Sequence, residues 1–200
     1  MPFYHIEVYG CQMNVRDGES LEGILVSAGY RKAPGPDKAD VVLVVTCAVR
    51  ERAEVRALGR VTQLAGVRRR RKPVVVICGC VAQEHGGSLL ERFPQVDLVV
   101  GPDEYQRLPG LLESGVRAFA TGLGSGCDEG VRPVRSMFPR AFVTVARGCD
   151  NFCSYCIVPY VRGRERSRKP RDILAEVEEL ASSGFREITL LGQNVNSYRD

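Results

Sequence analysis

The sequence predicts an α/β protein: a doubly wound parallel sheet over residues 1–122, a linker at 123–137, and a further βαβ unit at 138–200. Two observations carry this. Short β-branched runs, Val41-Val42-Leu43-Val44-Val45 and Val74-Val75-Val76-Ile77, are continuous rather than alternating, as in strands covered on both faces. Between such runs lie helical patterns, and strand–helix alternation implies a parallel sheet.

The elements follow in order. Residues 3–9 alternate, with Tyr4, Ile6 and Val8 on one face and His5 and Glu7 on the other. Leu21, Ile24, Leu25 and Ala28 then share one helical face, and Gly29 stands where a C-cap belongs. The run at 41–45 is the next strand. Ala57, Leu58, Val61, Leu64 and Ala65 form a helical stripe before Gly66. The strand at 74–78 follows, then one from Val96 to Val100, then a helix with Leu108, Leu111 and Leu112 before Gly115. Residues 122–137 are rich in glycine and poor in apolar residues, which marks a linker. Phe142 to Val145 restarts the pattern as a strand, and Arg147 to Arg168 is irregular. A helix runs from Pro170 to about Ser183, with Pro170 suited to the first turn and Gly184 ending it. Ile188 to Leu191 is the last strand.

Composition bounds the function only loosely. Hydrophobic residues make up 44% and charged residues 26%, as in globular proteins generally. The net charge of +4 is evenly spread: 18 Lys+Arg against 16 Asp+Glu in residues 1–137, and 10 against 8 in residues 138–200. Net charge therefore gives no argument for nucleic acid. No apolar run approaches the roughly 20 residues that span a bilayer, and the opening residues do not read as a secretory signal. The expectation is a cytoplasmic protein, where thiols stay reduced. Its eight cysteines then point to metal ligation or catalysis.

The sharpest motif is Cys149-Asp150-Asn151-Phe152-Cys153-Ser154-Tyr155-Cys156, a C-x3-C-x2-C triplet after a predicted strand. Iron–sulfur clusters usually take four cysteines, so three in one loop leave an iron open to a substrate or cofactor. Zinc is the rival, but structural zinc prefers four ligands in paired units. A second group is positional. Cys11, Cys47 and Cys80 each follow a predicted strand, and in an open parallel sheet the strand C-termini share the ligand-binding edge. The alternative is three core cysteines, free cysteine being among the most buried residues. Cys78 reads as core and Cys127 as a free thiol in the linker.

These residues carry a resemblance. The segment from Arg147-Gly148-Cys149 to Cys156-Ile157-Val158-Pro159-Tyr160-Val161-Arg162-Gly163 resembles the cluster loop of radical S-adenosylmethionine methylthiotransferases. Tyr9-Gly10-Cys11-Gln12-Met13-Asn14, Thr46-Cys47-Ala48-Val49-Arg50-Glu51 and Gly79-Cys80-Val81-Ala82-Gln83 look like that family's N-terminal domain. Leu190-Leu191-Gly192-Gln193-Asn194-Val195-Asn196 looks like the end of its second barrel strand. The Ala-Val-Arg-Glu and Gln-Asn-Val-Asn stretches are most like the tRNA branch. The ribosomal-protein and threonylcarbamoyladenosine branches are the near alternatives, and a non-enzymatic iron–sulfur module that binds RNA is a more distant one.

The resemblance implies a flavodoxin-like domain followed by the first βαβ unit of a (βα) barrel. It implies two 4Fe-4S clusters, one on Cys149, Cys153 and Cys156 that binds S-adenosylmethionine, and an auxiliary one on Cys11, Cys47 and Cys80 that supplies sulfur. Reduction would cleave the cofactor to a 5′-deoxyadenosyl radical. Tyr155 would lie against the adenine, and Gln193 and Asn194 near the methionine polar groups. The implied partners are tRNA and an electron donor such as flavodoxin or ferredoxin, with the chain acting as a monomer. Only about 60 residues follow the linker, whereas a (βα) barrel needs about 200 or more, so the chain reads as a fragment or a truncated product, inactive alone. Two basic runs remain. Arg68 to Lys72 reads as a solvated loop or a phosphate contact. The arginines from Arg162 to Arg171, with Lys169, read as a grip on substrate phosphates.

Overall fold

A computed structural model describes residues 1–65, 72–124 and 130–199. The first unit is a six-stranded, wholly parallel sheet. Its strands are β1 (Phe3–Val8), β2 (Arg31–Lys32), β3 (Val41–Thr46), β4 (Val74–Gly79), β5 (Leu98–Val100) and β6 (Ala118–Ala120). The order across the sheet is β2-β1-β3-β4-β5-β6, the doubly wound arrangement with its switch point between β1 and β3.

The two faces separate by the period of two along each strand. Val42 and Val44 of β3 lie in one core with Val75 and Ile77 of β4. That core is closed by Ala57, Leu58, Val61 and Leu64 of α2 (Glu51–Ala65), Val81 of α3 (Cys80–His85) and Leu89 of α4 (Ser88–Arg92). Val41, Leu43 and Val45 lie in the opposite core with Tyr4, Val76 and Cys78. Leu21, Ile24 and Leu25 of α1 (Gln12–Ser27) and Leu108 of α5 (Leu108–Ser114) close that side. Because both faces are covered, every residue of β3 is buried, which is why its sequence does not alternate. Cys78 is fully buried in this core.

The second unit contains β7 (Arg140–Thr144), β8 (Ala146–Arg147), α6 (Val158–Arg162), β9 (Arg166–Ser167), α7 (Pro170–Ser182) and β10 (Glu187–Leu191). β7 and β10 pair in parallel, with α7 as the crossover. Leu180, Ile173 and Val177 of α7 pack on Ala141 and Val143 of β7. The segment read as irregular from Arg147 onward holds α6 and an antiparallel pair, β8 with β9. Both are too short to show periodicity.

α1 joins the units. Its apolar face meets the sheet, and its charged face meets the second unit, so Arg16, Asp17, Glu19 and Ser20 are all buried. Residues within the predicted linker run along it. The Val134 amide donates to the Glu19 carbonyl at 3.0 Å, and the Ser136 amide to the Glu19 carboxylate at 2.9 Å. Arg135 pairs with both Glu19 and Glu176 of α7. Gly66, Arg68 to Arg71 and Cys127 lie outside the described residues.

Candidate metal centres

β1, β3 and β4 are neighbours, and a cysteine follows the C-terminal end of each. Cys11 is the N-cap of α1. Cys47 comes directly after β3, and Cys80 opens α3 directly after β4. The sheet therefore brings all three to one edge, at and beside the switch point. Asn14, fully buried, holds two of them in place. Its amide nitrogen donates to the Thr46 carbonyl at 2.9 Å, and its side-chain oxygen accepts from the Cys11 amide at 3.1 Å and from the Cys11 sulfur at 3.3 Å. Gly10 permits this approach, since a Cβ there would lie 2.1 Å from the Asn14 side-chain oxygen and 2.7 Å from the Cys47 Cβ.

Cys11 and Cys47 share a hydrogen bond. That bond, with the Asn14 and Met13 amides of the α1 N-terminus, pulls the Cys11 thiol down to about 5. The same contact, with burial, pushes Cys47 up. Cys80 is turned to another partner: the Arg162 Nε donates to its sulfur at 3.2 Å. Arg162 also donates from both terminal nitrogens to Asp17, which accepts from Arg147 as well. Burial opposes the charge on Arg162, and Asp17 more than offsets this, so it stays firmly protonated.

The second cysteine group lies in the loop between β8 and α6. Cys149 is buried, Cys156 half-buried and Cys153 exposed. Gly148 starts the loop at φ 76°, and a Cβ there would sit 2.1 Å from the Arg164 carbonyl oxygen. Its amide donates to the Gln193 side-chain oxygen at 2.7 Å. Phe152 sits at φ 44°, a left-handed conformation that costs energy for a residue with a side chain. Asp150 accepts from the Arg164 Nε at 2.7 Å and from the Glu165 amide at 2.9 Å. Tyr155 is 90% exposed. Asn194 precedes a short 3-10 turn, and its carbonyl accepts from the Ser197 hydroxyl at 2.8 Å.

Among the described residues, no three His, Cys, Asp or Glu side chains stand close enough together to hold a metal ion. The donor sets nonetheless suit iron–sulfur centres. Each is three soft thiols with no competing histidine. Sequence reasoning found the cysteines but missed Asp17 and its pairing with Arg147 and Arg162, a buried network that shows only when α6 and β8 meet α1. It also read the arginines after the loop as a phosphate grip. The structure pairs them within the chain: Arg162 with Asp17, Arg164 with Asp150, Arg166 with Asp103, Arg168 with Glu176 and Arg171 with Asp172.

A doubly wound sheet with cysteines following its strand ends is thus joined to a βαβ unit that carries a three-cysteine loop. Residues 143–200 match the Radical SAM superfamily, and residues 3–101 match Uncharacterized protein family UPF0004. The chain is similar throughout to named tRNA-2-methylthio-N(6)-dimethylallyladenosine synthases. It is 45% identical to that of Thermoanaerobacter sp. (strain X514), over 98% of this chain and 43% of the relative. It is 45% identical to that of Desulfosudis oleivorans, over 99% and 44% respectively. The chain spans less than half the length of these relatives. Its fold is similar to a radical S-adenosylmethionine methyltransferase, TsrM, from Kitasatospora setae, with TM-score 0.63 and 16% identity over 98% of this chain and 48% of that one. Among the described residues, no helix is long and apolar enough to cross a membrane.

Proposed function

We propose that this chain is the cluster-binding portion of a tRNA methylthiotransferase. Its substrate is isopentenyl-adenosine next to the anticodon, and S-adenosylmethionine is its radical source and methyl donor. The observation that supports this best is the join between the two cysteine groups. α6 starts two residues after Cys156 and ends at Arg162, which reaches the Cys80 sulfur. A radical site and a sulfur-donor site must act on one base, and this short helix ties them together.

Cys149, Cys153 and Cys156 would hold one 4Fe-4S cluster, and Cys11, Cys47 and Cys80 the other. When bound, the two clusters and S-adenosylmethionine supply one-electron cleavage chemistry and a transferable sulfur. The chain's own residues position and shield. Gln193 fixes the start of the cysteine loop through Gly148. Exposed Tyr155 would lie against the adenine, and Gln193 and Asn194 would stand near the methionine polar groups. Asn14 sets Cys11 against Cys47. The partners are tRNA and a flavodoxin or ferredoxin, in the cytoplasm, with the protein as a monomer.

The test is anaerobic reconstitution with iron and sulfide analysis and Mössbauer spectra. About eight irons per chain are expected, with S-adenosylmethionine cleavage under dithionite. Stoichiometric zinc without sulfide would overturn the reading.

A further inference from the structure

With the arginines of 162–171 paired inside the chain, an unpaired set stands elsewhere. A cavity of about 310 Å³ lies between the end of β1 and the first turn of α2. Tyr9, Gly10, Arg50, Arg52 and Arg56 line it. All three arginines are exposed. Among the described residues, none of them has an ion-pair partner; Arg56 lies over the Tyr9 ring, 5.7 Å from its centroid. Nearby acids are mostly spoken for: Glu54 faces His85 at 3.5 Å and Glu7 holds Arg60 at 2.8 Å, leaving Glu51 as the remaining acid of that turn.

The cavity adjoins the auxiliary edge. Tyr9 and Gly10 lead directly into Cys11, and Arg50 comes three residues after Cys47. The Tyr9 hydroxyl donates to Glu7 at 2.9 Å, so the ring is anchored at its polar end and half-buried. Unpaired guanidiniums around an aromatic wall are the composition that grips single-stranded nucleic acid: charge for the backbone, a ring face for a base or for stacking against arginine. Bases of an RNA loop are unstacked and reachable in that way.

We propose that this cavity is a subsite for the backbone phosphates of the substrate RNA, next to the nucleotide being modified. The proposal rests on the reading of the chain as part of a tRNA-modifying enzyme. It adds where the RNA lies: across the β1–α2 side of the Cys11–Cys47 edge, with Arg50, Arg52 and Arg56 on its phosphates. A base whose own phosphates are held there is brought to the sulfur-donor edge.

The experiment is a titration of the anaerobically reconstituted chain into a fluorescent anticodon stem-loop RNA at several salt concentrations. It compares the parent with the Arg50→Gln, Arg52→Gln, Arg56→Gln triple variant. Arg31→Gln, at the exposed far edge of the sheet, is the control. The triple variant should bind more than tenfold more weakly, and its log–log salt slope should be shallower by about 2, near 0.7 for each lost phosphate contact on single strands. Its iron content and melting temperature should equal the parent's, which separates loss of the subsite from loss of the clusters or the fold. Equal affinity and slope in parent and triple variant would overturn the subsite while leaving the functional reading intact. A cluster-loaded parent that binds no RNA would overturn it too.

Discussion

Arg162 Nε lies 3.2 Å from the Cys80 sulfur, and the rest of the same guanidinium is spent on Asp17. One side chain from the cysteine loop's helix thus touches a ligand candidate of the other group and a fully buried acid of α1. Removing one partner of a buried pair strands the other charge. Arg162→Ala is therefore expected to cost about 3 kcal/mol, toward the low end of the buried-pair range because Arg147 still faces Asp17. Urea unfolding of the metal-free chain reads this directly. A loss under about 1 kcal/mol would mean that Arg147 alone satisfies Asp17.

The two cysteine groups should load independently, because each is complete within its own unit. Changing Cys149, Cys153 and Cys156 together to Ala is expected to halve the iron and sulfide. Changing Cys11, Cys47 and Cys80 should halve them from the other side. Only the first variant should lose S-adenosylmethionine cleavage. Complete loss of iron from either variant would show that the groups form one centre.

Much of this was legible in the sequence, for physical reasons. The β-branched runs at 41–45 and 74–77 announce strands covered on both faces, and the glycines at 29, 115 and 184 take the left-handed conformation that ends a helix. Placing Cys11, Cys47 and Cys80 at strand ends follows from sheet topology alone. What escaped was everything set by contact between the units. The apolar stripe of α1 says nothing of its charges, and Asp17 is fully buried because α6 and β8 press arginines onto it. The arginines after Cys156 read as a substrate grip, yet their acids come from distant positions such as Asp17, Asp103 and Glu176. A short linear pattern shows a charge but not its partner. The two-residue strands β2, β8 and β9 are likewise too short to leave a period.

Stability should fall with pH in two stages that both arise on β1. Burial lowers the His5 pKa below its ordinary 6.5, so the unfolded chain takes up a proton that the folded one resists. Stability is lost as pH falls from about 6.5 to the lower folded value. Glu7 is opposed by burial but held below 4.5 by hydrogen bonds from Arg60 and Tyr9. Its contribution is present above 4.5 and is lost as pH falls through the folded value. Melting temperatures from pH 8 to about pH 2 should show both, with His5→Asn flattening the upper stage and Glu7→Gln the lower. An unchanged profile in His5→Asn would assign the upper stage to another group.

Asn14 offers the most discriminating test of how the auxiliary edge is built. Its side chain donates to the end of β3 and accepts from Cys11, so it ties the start of α1 to the strand that delivers Cys47. Asn14→Ala would leave the Thr46 carbonyl and the Cys11 amide unmatched in a buried site, a loss of about 1–3 kcal/mol. Asn14→Asp keeps the shape and the acceptor but cannot donate to Thr46, and it sets a carboxylate beside the Cys11 sulfur. Shape alone would make the Asp variant the milder of the two. The hydrogen-bond account makes it at least as harmful, because a carboxylate cannot donate to the buried Thr46 carbonyl and is repelled by it. Melting temperature of the metal-free chain and iron content after reconstitution should both rank parent above Ala, and Ala at or above Asp. An Asp variant that melts and loads like the parent would show that Asn14 acts by filling space.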